Sequence, residues 1–337
     1  MDLELLQFRS RTIQAVRNFF IEKNYLEVDT PALSGDLIPE TCLEVFKTEY
    51  FEPWNEKRCE LFLVPSPEIY IKKLIAQHKV SIFQLSKCYR NVESVGNLHS
   101  PEFTMLEYYT MGADYKDSLK ITEELFEYLQ KKLKIESKTI GFSPFTKVTM
   151  NEAFEKLANF SLDDCPNESD LEKQAVKMGL NPQKGENWAD LFEMIFVHKV
   201  EPNLKNLTNP AGLPVFLCDY PAAVRCLAQN VKNEANSSPI QYKERWELYV
   251  NGIELANCYS EERDAEKIKE YFLIEGNEKN EQARIRHKID ENYWKIFNNF
   301  PKCSGVAIGV DRLIMSLLEK KTINSVLPFP LEVKEEF

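Results

Sequence analysis

Apolar residues recur at helical spacing between residues 4 and 23, where Leu5, Leu6, Phe8, Ile13, Val16, Phe19 and Phe20 mark one face. Asn24 can end that helix, and Tyr25 to Val28 reads as a short strand stopped at Thr30-Pro31. A second helix opens at Ser66-Pro67-Glu68, with serine as N-cap and proline at the first helical position, and continues through Ile69, Ile71, Leu74 and Ile75. Ser81 to Tyr89 and Phe103 to Tyr109 read as strands flanking a loop from Arg90 to Glu102, long for a hairpin, and loops of that length inside a compact sheet are usually functional. A helix follows over 118–135, and three more are expected around 151–158, 170–179 and 188–200. Residues 136–210 therefore read as a helical insertion, broken at Cys165-Pro166-Asn167, with Asp163, Asp164 and Glu168 on a solvated surface. The chain returns to strand at Pro214 to Leu217, turns at Tyr220-Pro221, and looks helical again over 265–300.

The stretch Glu244 to Arg263 carries the most concentrated chemistry. Asn251-Gly252 between apolar runs is a hairpin signal, because a two-residue type I′ turn needs φ > 0 at both positions. A regular hairpin pairs Val250 with Ile253, Tyr249 with Glu254 and Glu247 with Ala256, which puts Glu247 and Glu254 on one face. Two neighbouring carboxylates raise each other's pKa unless a cation sits between them, which suggests bound Mg²⁺, with Glu261 as a third acid nearby. A solvated face of an exposed hairpin fits the same pattern. Further on, Gly305, Ala307 and Gly309 lie on one face of a short strand that permits close approach of a ligand. Asp311 can cap the helix that follows, and Arg312 at the helix start opposes the dipole, a placement that an anionic ligand would offset. Glu68 suits a helix N-terminus as well as a ligand, and His99 alone reads as an ordinary surface histidine.

Composition narrows the class. The 337 residues are 43% hydrophobic and 28% charged, those of an ordinary globular protein. A formal charge of −11 argues against a non-specific nucleic-acid binder, which presents a basic face to phosphates. No apolar run approaches the roughly 18 residues of a membrane span and no basic leader precedes an apolar segment, so a cytoplasmic protein is expected. The eight cysteines lack Cys-x-x-Cys spacing, which favours reduced thiols over zinc or a disulfide framework.

Taken in order, these segments resemble the three motifs of class II aminoacyl-tRNA synthetases, and within them the lysyl-tRNA synthetase branch. Asn24 through Leu33 is similar to motif 1, with Asn24 where glycine is usual. Phe83-Gln84-Leu85 through Arg90-Asn91, the loop, and Pro101 through Glu107 resemble motif 2; Gly305 through Arg312 resembles motif 3; and Gly252-Ile253-Glu254-Leu255-Ala256-Asn257 resembles a lysine-branch signature. The segment Arg90-Asn91-Val92-Glu93 departs from the usual Arg-x-Glu, and a one-residue insertion before Glu93 fits the longer loop; Ser100 stands where asparagine is usual. Motif 1 lies at the start of the chain, without room upstream for an anticodon-binding barrel. This feature, Ser66 in Ser-Pro-Glu, and Ala307 where the synthetases have glycine make the chain similar to the elongation factor P lysine ligase family, the short paralogue of that branch.

The resemblance implies an α+β fold, a class II catalytic core of mainly antiparallel sheet flanked by helices, as a single domain over 1–337. It implies ATP-dependent activation of lysine or β-lysine as an adenylate and transfer to a lysine side chain of elongation factor P. Arg90 and Arg312 would be the catalytic pair; Arg90, Asn91, Glu93, His99, Ser100, Phe103, Glu254, Leu255, Gly309 and Arg312 would bind ATP; Glu247 and Glu254 would hold Mg²⁺. Ser66, Glu68, Glu107, Tyr109, Asn257, Glu261 and Ala307 would bind the amino acid, Glu68 taking the amino group near its carboxylate and Glu107, Tyr109 and Glu261 the distal ammonium. A homodimer without stable tRNA or membrane binding is implied as well. A truncated lysyl-tRNA synthetase-like enzyme with another acceptor, or an inactive regulatory paralogue, would carry many of the same residues.

Overall fold

A computed structural model describes residues 2–55, 57–93, 97–135, 145–208, 211–232 and 238–331. Gly96 of the motif 2 loop and residues 136–144 and 209–210 of the expected insertion lie outside the described residues.

Helix α1 spans Leu3–Glu22, capped by Asp2, whose carboxylate accepts from the Glu4 amide at 3.0 Å. Asn24 follows at φ 62°, the left-handed region that glycine or asparagine tolerates, so this position keeps the motif 1 turn without glycine. The expected strand contracts to β1, Leu26–Glu27. Then come β2 (Leu33–Ser34), β3 (Phe46–Phe51), β4 (Arg58–Leu63), α2 (Glu68–His78), β5 (Ile82–Tyr89), β6 (Glu102–Met111), α3 (Tyr115–Leu133) and β7 (Thr146–Thr149). The hairpin β3–β4 carries few buried side chains and was not anticipated. The insertion consists of α4 (Met150–Ala158), α5 (Glu168–Lys177) and α6 (Trp188–Ile195), the last passing into a π turn at Phe196–Val200 and a 3₁₀ run to Leu207. The expected solvated acid Asp163 instead accepts from the Ser238 and Tyr242 hydroxyls, each at 2.7 Å, and pins the insertion to the sheet.

Strands β8 (Val215–Pro221), β9 (Tyr242–Val250) and β10 (Ile253–Ser260), helix α7 (Ala265–Gln282), β11 (Cys303–Gly309) and α8 (Val310–Leu317) complete the order. Tyr220-Pro221 is strand rather than turn: a register shift around Asp219, at φ 61°, accommodates it, and Pro221 sits at the strand end, where a missing N–H is tolerated. The helical expectation over 265–300 holds only to Gln282, with a separate 3₁₀ segment at Tyr293–Asn299.

Among the described residues the main sheet has the order β1-β5-β6-β11-β10-β9-β8-β7, antiparallel except for its two outermost pairs. One face packs on α1, α3 and α8 through Phe20, Phe83, Tyr108, Trp246, Val306 and Ile314. The fold is the α+β class expected. The β9–β10 turn has Asn251 at φ 53° and Gly252 at φ 77°, as a type I′ turn requires. Pairing starts as expected, Val250 with Ile253 and Tyr249 with Glu254, but a bulge at Leu255 then pairs Leu248 with Ala256 and Glu247 with Asn257. The expected Glu247–Ala256 pair does not form.

Asp311 does not cap α8, whose N-cap is Gly309. Its carboxylate is buried, 2.5 Å from Arg9 Nη1, and accepts from the Thr104 amide at 2.6 Å, while Arg9 Nη2 donates to Thr104 Oγ1 at 3.0 Å. This triad ties α1, β6 and α8 together beneath the sheet. Because removing one member strands a buried charge, Arg9→Met is expected to cost about 3–5 kcal/mol in denaturant unfolding. The double variant Arg9→Met/Asp311→Asn should lose less than the single one; equal losses would mean that the stranded charge is not the cause.

Candidate active site

The bulge at Leu255 decides which side chains meet. Leu255 and Ala256 both pack into the core, and alternation resumes one residue late, so Asn257, Tyr259 and Glu261 join Glu254 and Glu247 on the open face. Cross-strand pairing then lines up Glu247, Asn257, Ala307, Glu107 and Gln84 across β9, β10, β11, β6 and β5. The neighbouring row is Arg245, Tyr259, Gly305, Tyr109 and Ile82. Above these rows lies a cavity of about 930 Å³.

One end of the cavity is acidic. Glu107 and Glu261 are buried at 3% and 2% exposure. Tyr109 donates to Glu107 Oε1 at 2.6 Å, and Glu107 Oε2 has no partner. Burial, reinforced by the charge of Glu68, pushes the Glu107 carboxyl up to about 8. Burial likewise raises Glu261, to about 7, against the opposing charge of Lys72. Gly305 must lack a side chain here, since a Cβ would lie 2.5 Å from the Tyr109 ring and collide with the Glu261 carboxylate. Helix α2 starts one residue later than expected: Pro67 occupies the N-cap without a side-chain cap, and the Glu68 amide is 3.4 Å from Ser66 Oγ. Glu68 therefore stands at the first helical position, facing the cavity.

The other end carries arginines together with acids. Arg312 donates to the carbonyls of Glu254 at 2.8 Å and Leu98 at 3.1 Å, and lies 3.7 Å from Glu254 Oε2. The Arg90 guanidinium sits 5.2 Å from the Phe103 ring, with its buried Nε unpartnered. His99 is 3.8 Å from Glu93, and burial together with Arg312 lowers its pKa. Val92 takes φ 58°, unusual for a β-branched residue, and is half exposed, so it bulges out of the loop and Glu93 turns inward. Asn91 is a correction: it does not line the cavity, because its amide donates to the Val45 carbonyl at 3.3 Å and its Oδ1 accepts from the Val92 amide. The remaining residues named from the sequence, including Ser66, Ser100, Leu255 and Gly309, all line the cavity.

Among the described residues no cluster of three or more acids, histidines or cysteines forms a metal cage. Glu247 accepts from Tyr220 at 2.5 Å, Tyr249 at 2.7 Å and Arg245 at 2.6 Å. Burial and the charge of Glu247 raise Glu254 to about 7 despite Arg312. A carboxyl pair in which the charge of Glu247 raises Glu254 fits a Mg²⁺ ion, which commonly takes one or two carboxylates and completes its shell with phosphate and water. Sequence reasoning missed Lys72, Tyr220, Tyr249 and Arg245, although Lys72 lies one helical turn from Glu68 and Arg245 shares a strand face with Glu247.

Residues 3–333 match the family model described as tRNA synthetases class II (D, K and N). The chain belongs to this class II tRNA synthetase family. Membership implies ATP use. Relatives of this class II chain include an elongation factor P–(R)-β-lysine ligase of Pectobacterium atrosepticum, 34% identical over 328 residues, covering 96% of this chain and 94% of the relative. The protein of the same description from Vibrio cholerae is 33% identical, covering 96% and 94%. A lysine–tRNA ligase of Carboxydothermus hydrogenoformans is 32% identical, covering 97% of this chain and 65% of the relative.

The buried acids set a pH dependence. A carboxyl whose folded pKa exceeds its unfolded one binds more protons in the folded state, so its contribution to stability is complete below the unfolded value near 4.5 and is lost as pH rises through about 8 for Glu107. The unliganded protein should therefore lose melting temperature between pH 5 and 8, and Glu107→Gln should flatten this decline. A decline of the same slope in Glu107→Gln would exclude Glu107 as its source.

Proposed function

We propose that this class II synthetase-family enzyme activates a lysine-type amino acid, (R)-β-lysine by preference, as its adenylate and transfers it to a lysine side chain of elongation factor P. The observation that carries the reading is the division of the cavity, with the buried acids Glu107 and Glu261 beside Glu68 at one end, and Arg90 and Arg312 with the Glu247–Glu254 pair at the other. A substrate with two ammonium groups and a carboxylate joined to a nucleotide phosphate matches that division, since buried charges need partners of opposite sign.

Activation needs no protein nucleophile: the substrate carboxylate attacks the α-phosphate and pyrophosphate leaves, so the protein's task is to position groups and balance charge. Arg90 holds the reacting carboxylate and α-phosphate, and Phe103 and Arg312 enclose the adenine, with Glu93, His99, Ser100, Leu255 and Gly309 around the nucleotide. Glu247 and Glu254 would hold Mg²⁺, which neutralises phosphate charge. Glu107, Tyr109 and Glu261 take the distal ammonium and Glu68 the nearer one, beside Ser66 and Asn257. Ala307 stands between Asn257 and Glu107 in the sheet row; with the substrate carboxylate directed towards Arg90, its methyl would take space beside the α carbon and favour an amino group placed one carbon further out.

The acceptor is read from the names of the relatives matched along nearly their whole length. The lysine–tRNA ligase relatives favour a second reading, transfer to tRNA, which the formal charge of −11 disfavours. We further assign the enzyme to the cytoplasm as a single catalytic unit paired in a homodimer. All eight cysteines are free, and no helix among the described residues is long and apolar enough to cross a membrane.

The test is amino-acid-dependent pyrophosphate exchange. Lysine isomers should support exchange, with β-lysine ahead of α-lysine, and Glu254→Gln should fold normally yet lose at least about 100-fold in rate, the scale of removing one strong electrostatic contact from a transition state. Near-normal exchange in Glu254→Gln would sink the metal assignment, and exchange with no lysine isomer would sink the substrate reading.

A further inference from the structure

Lys72 is 1% exposed, on the α2 turn that follows Glu68. Its ammonium pairs with the Glu68 carboxylate and lies 2.7 Å from Glu261 Oε2. It thus bridges two of the three acids at the closed end of the cavity, while the third, Glu107, keeps one oxygen without a partner. The charged and titratable groups that face this cluster include Glu68 on α2, Cys88 on β5, Glu107 and Tyr109 on β6, Glu261 after β10, Tyr271 on α7, Tyr293 of the 3₁₀ segment, Cys303 on β11 and Glu40 of the loop after β2. Glu40 has its own opposing cations in Arg90 and Lys279. The closed end therefore sets three carboxyl groups against one ammonium, a surplus of acid that a substrate bearing two ammonium groups would balance.

We infer that Lys72 is a positioning residue for substrate charge: by pairing with both Glu68 and Glu261 it holds their carboxyl groups in place and favours negative charge at the closed end, where the ammonium groups of the substrate bind. The inference rests on the lysine-type reading above. Without that ammonium, burial and mutual repulsion would raise Glu261 and Glu107 further still, and a neutral carboxyl cannot partner an ammonium well. Burial alone would lower the Lys72 pKa, but the charges of Glu261 and Glu68 outweigh it and keep the ammonium protonated. A merely structural pair would alter stability, and its loss would not move the pH at which lysine binds.

The discriminating experiment measures kcat, KM for lysine and KM for ATP in pyrophosphate exchange across pH, with calorimetric lysine binding alongside, for the parent, Lys72→Met and Lys72→Arg. Lys72→Met should move the acidic limb of kcat/KM for lysine, and of lysine affinity, upward by about one pH unit, corresponding to about a tenfold rise in KM near neutral pH. KM for ATP and the high-pH kcat should stay near the parent, and Lys72→Arg, which keeps the charge, should keep the parent's limb. A folded Lys72→Met with the parent's limb and lysine affinity overturns the inference. Should Lys72→Met not fold, Lys72→Arg decides: an unmoved limb in this variant supports a charge role, and a displaced one contradicts it. Absence of lysine-dependent exchange in the parent would overturn the substrate reading and this inference with it, whereas a lysine-active parent with an unmoved limb in Lys72→Met overturns this inference alone.

Discussion

One extra residue in a β-strand governs the cavity. Had β10 paired regularly with β9, Ala256, Cys258 and Ser260 would share a face with Glu254, while Asn257, Tyr259 and Glu261 would point into the core against Val306 and Trp246. The bulge at Leu255 sends two consecutive side chains inward and returns the alternation one step late. Both halves of the cavity are thereby built on one sheet face, with Glu254 before the bulge and Glu261 after it. Glycines at 305 and 309 on the adjoining strand keep that face open.

Putting acids on a buried face has an electrostatic consequence. Glu107, Glu261 and Glu254 are each raised towards or above neutrality by burial, and each is held in check by a cation or hydroxyl: Tyr109 on the same strand as Glu107, and Lys72 and Arg312 from helices for the other two. The cavity is therefore lined by carboxyls whose charges are incompletely matched, and ligands bearing positive charge would relieve it. The same logic recurs under the sheet, where Arg9 and Asp311 satisfy each other at the junction of α1 and α8. Stability there and ligand binding above use the same kind of pairing; they differ in whether the partner belongs to the chain.

The turn at Asn251-Gly252 was legible because two consecutive positive φ angles demand those residues, and the motif 1 turn at Asn24 survived its missing glycine for the same reason. The bulge was not legible, since Leu255 bears no glycine or proline to mark it; Asn257 was named through family resemblance and Glu261 as a third acid near the hairpin, and regular alternation would have turned both away. Lys72 and Arg9 were missed because a single basic residue on an amphipathic helix reads as a solvated side chain until its partner, remote in sequence, is placed beside it. Asp163 was misread on the same ground. Asn91 illustrates the opposite error, a motif position whose side chain serves the loop rather than the cavity.

The claim on which the rest converges is that a lysine-type adenylate made in this cavity is delivered to a protein lysine. Its most direct test is the intact mass of purified elongation factor P after incubation with the enzyme, ATP, Mg²⁺ and (R)-β-lysine or α-lysine, with lysine tRNA supplied in a parallel reaction. Elongation factor P should gain one β-lysyl unit, mapped to a single lysine, with little charging of the tRNA. Efficient aminoacylation of the tRNA with elongation factor P left unmodified would contradict it.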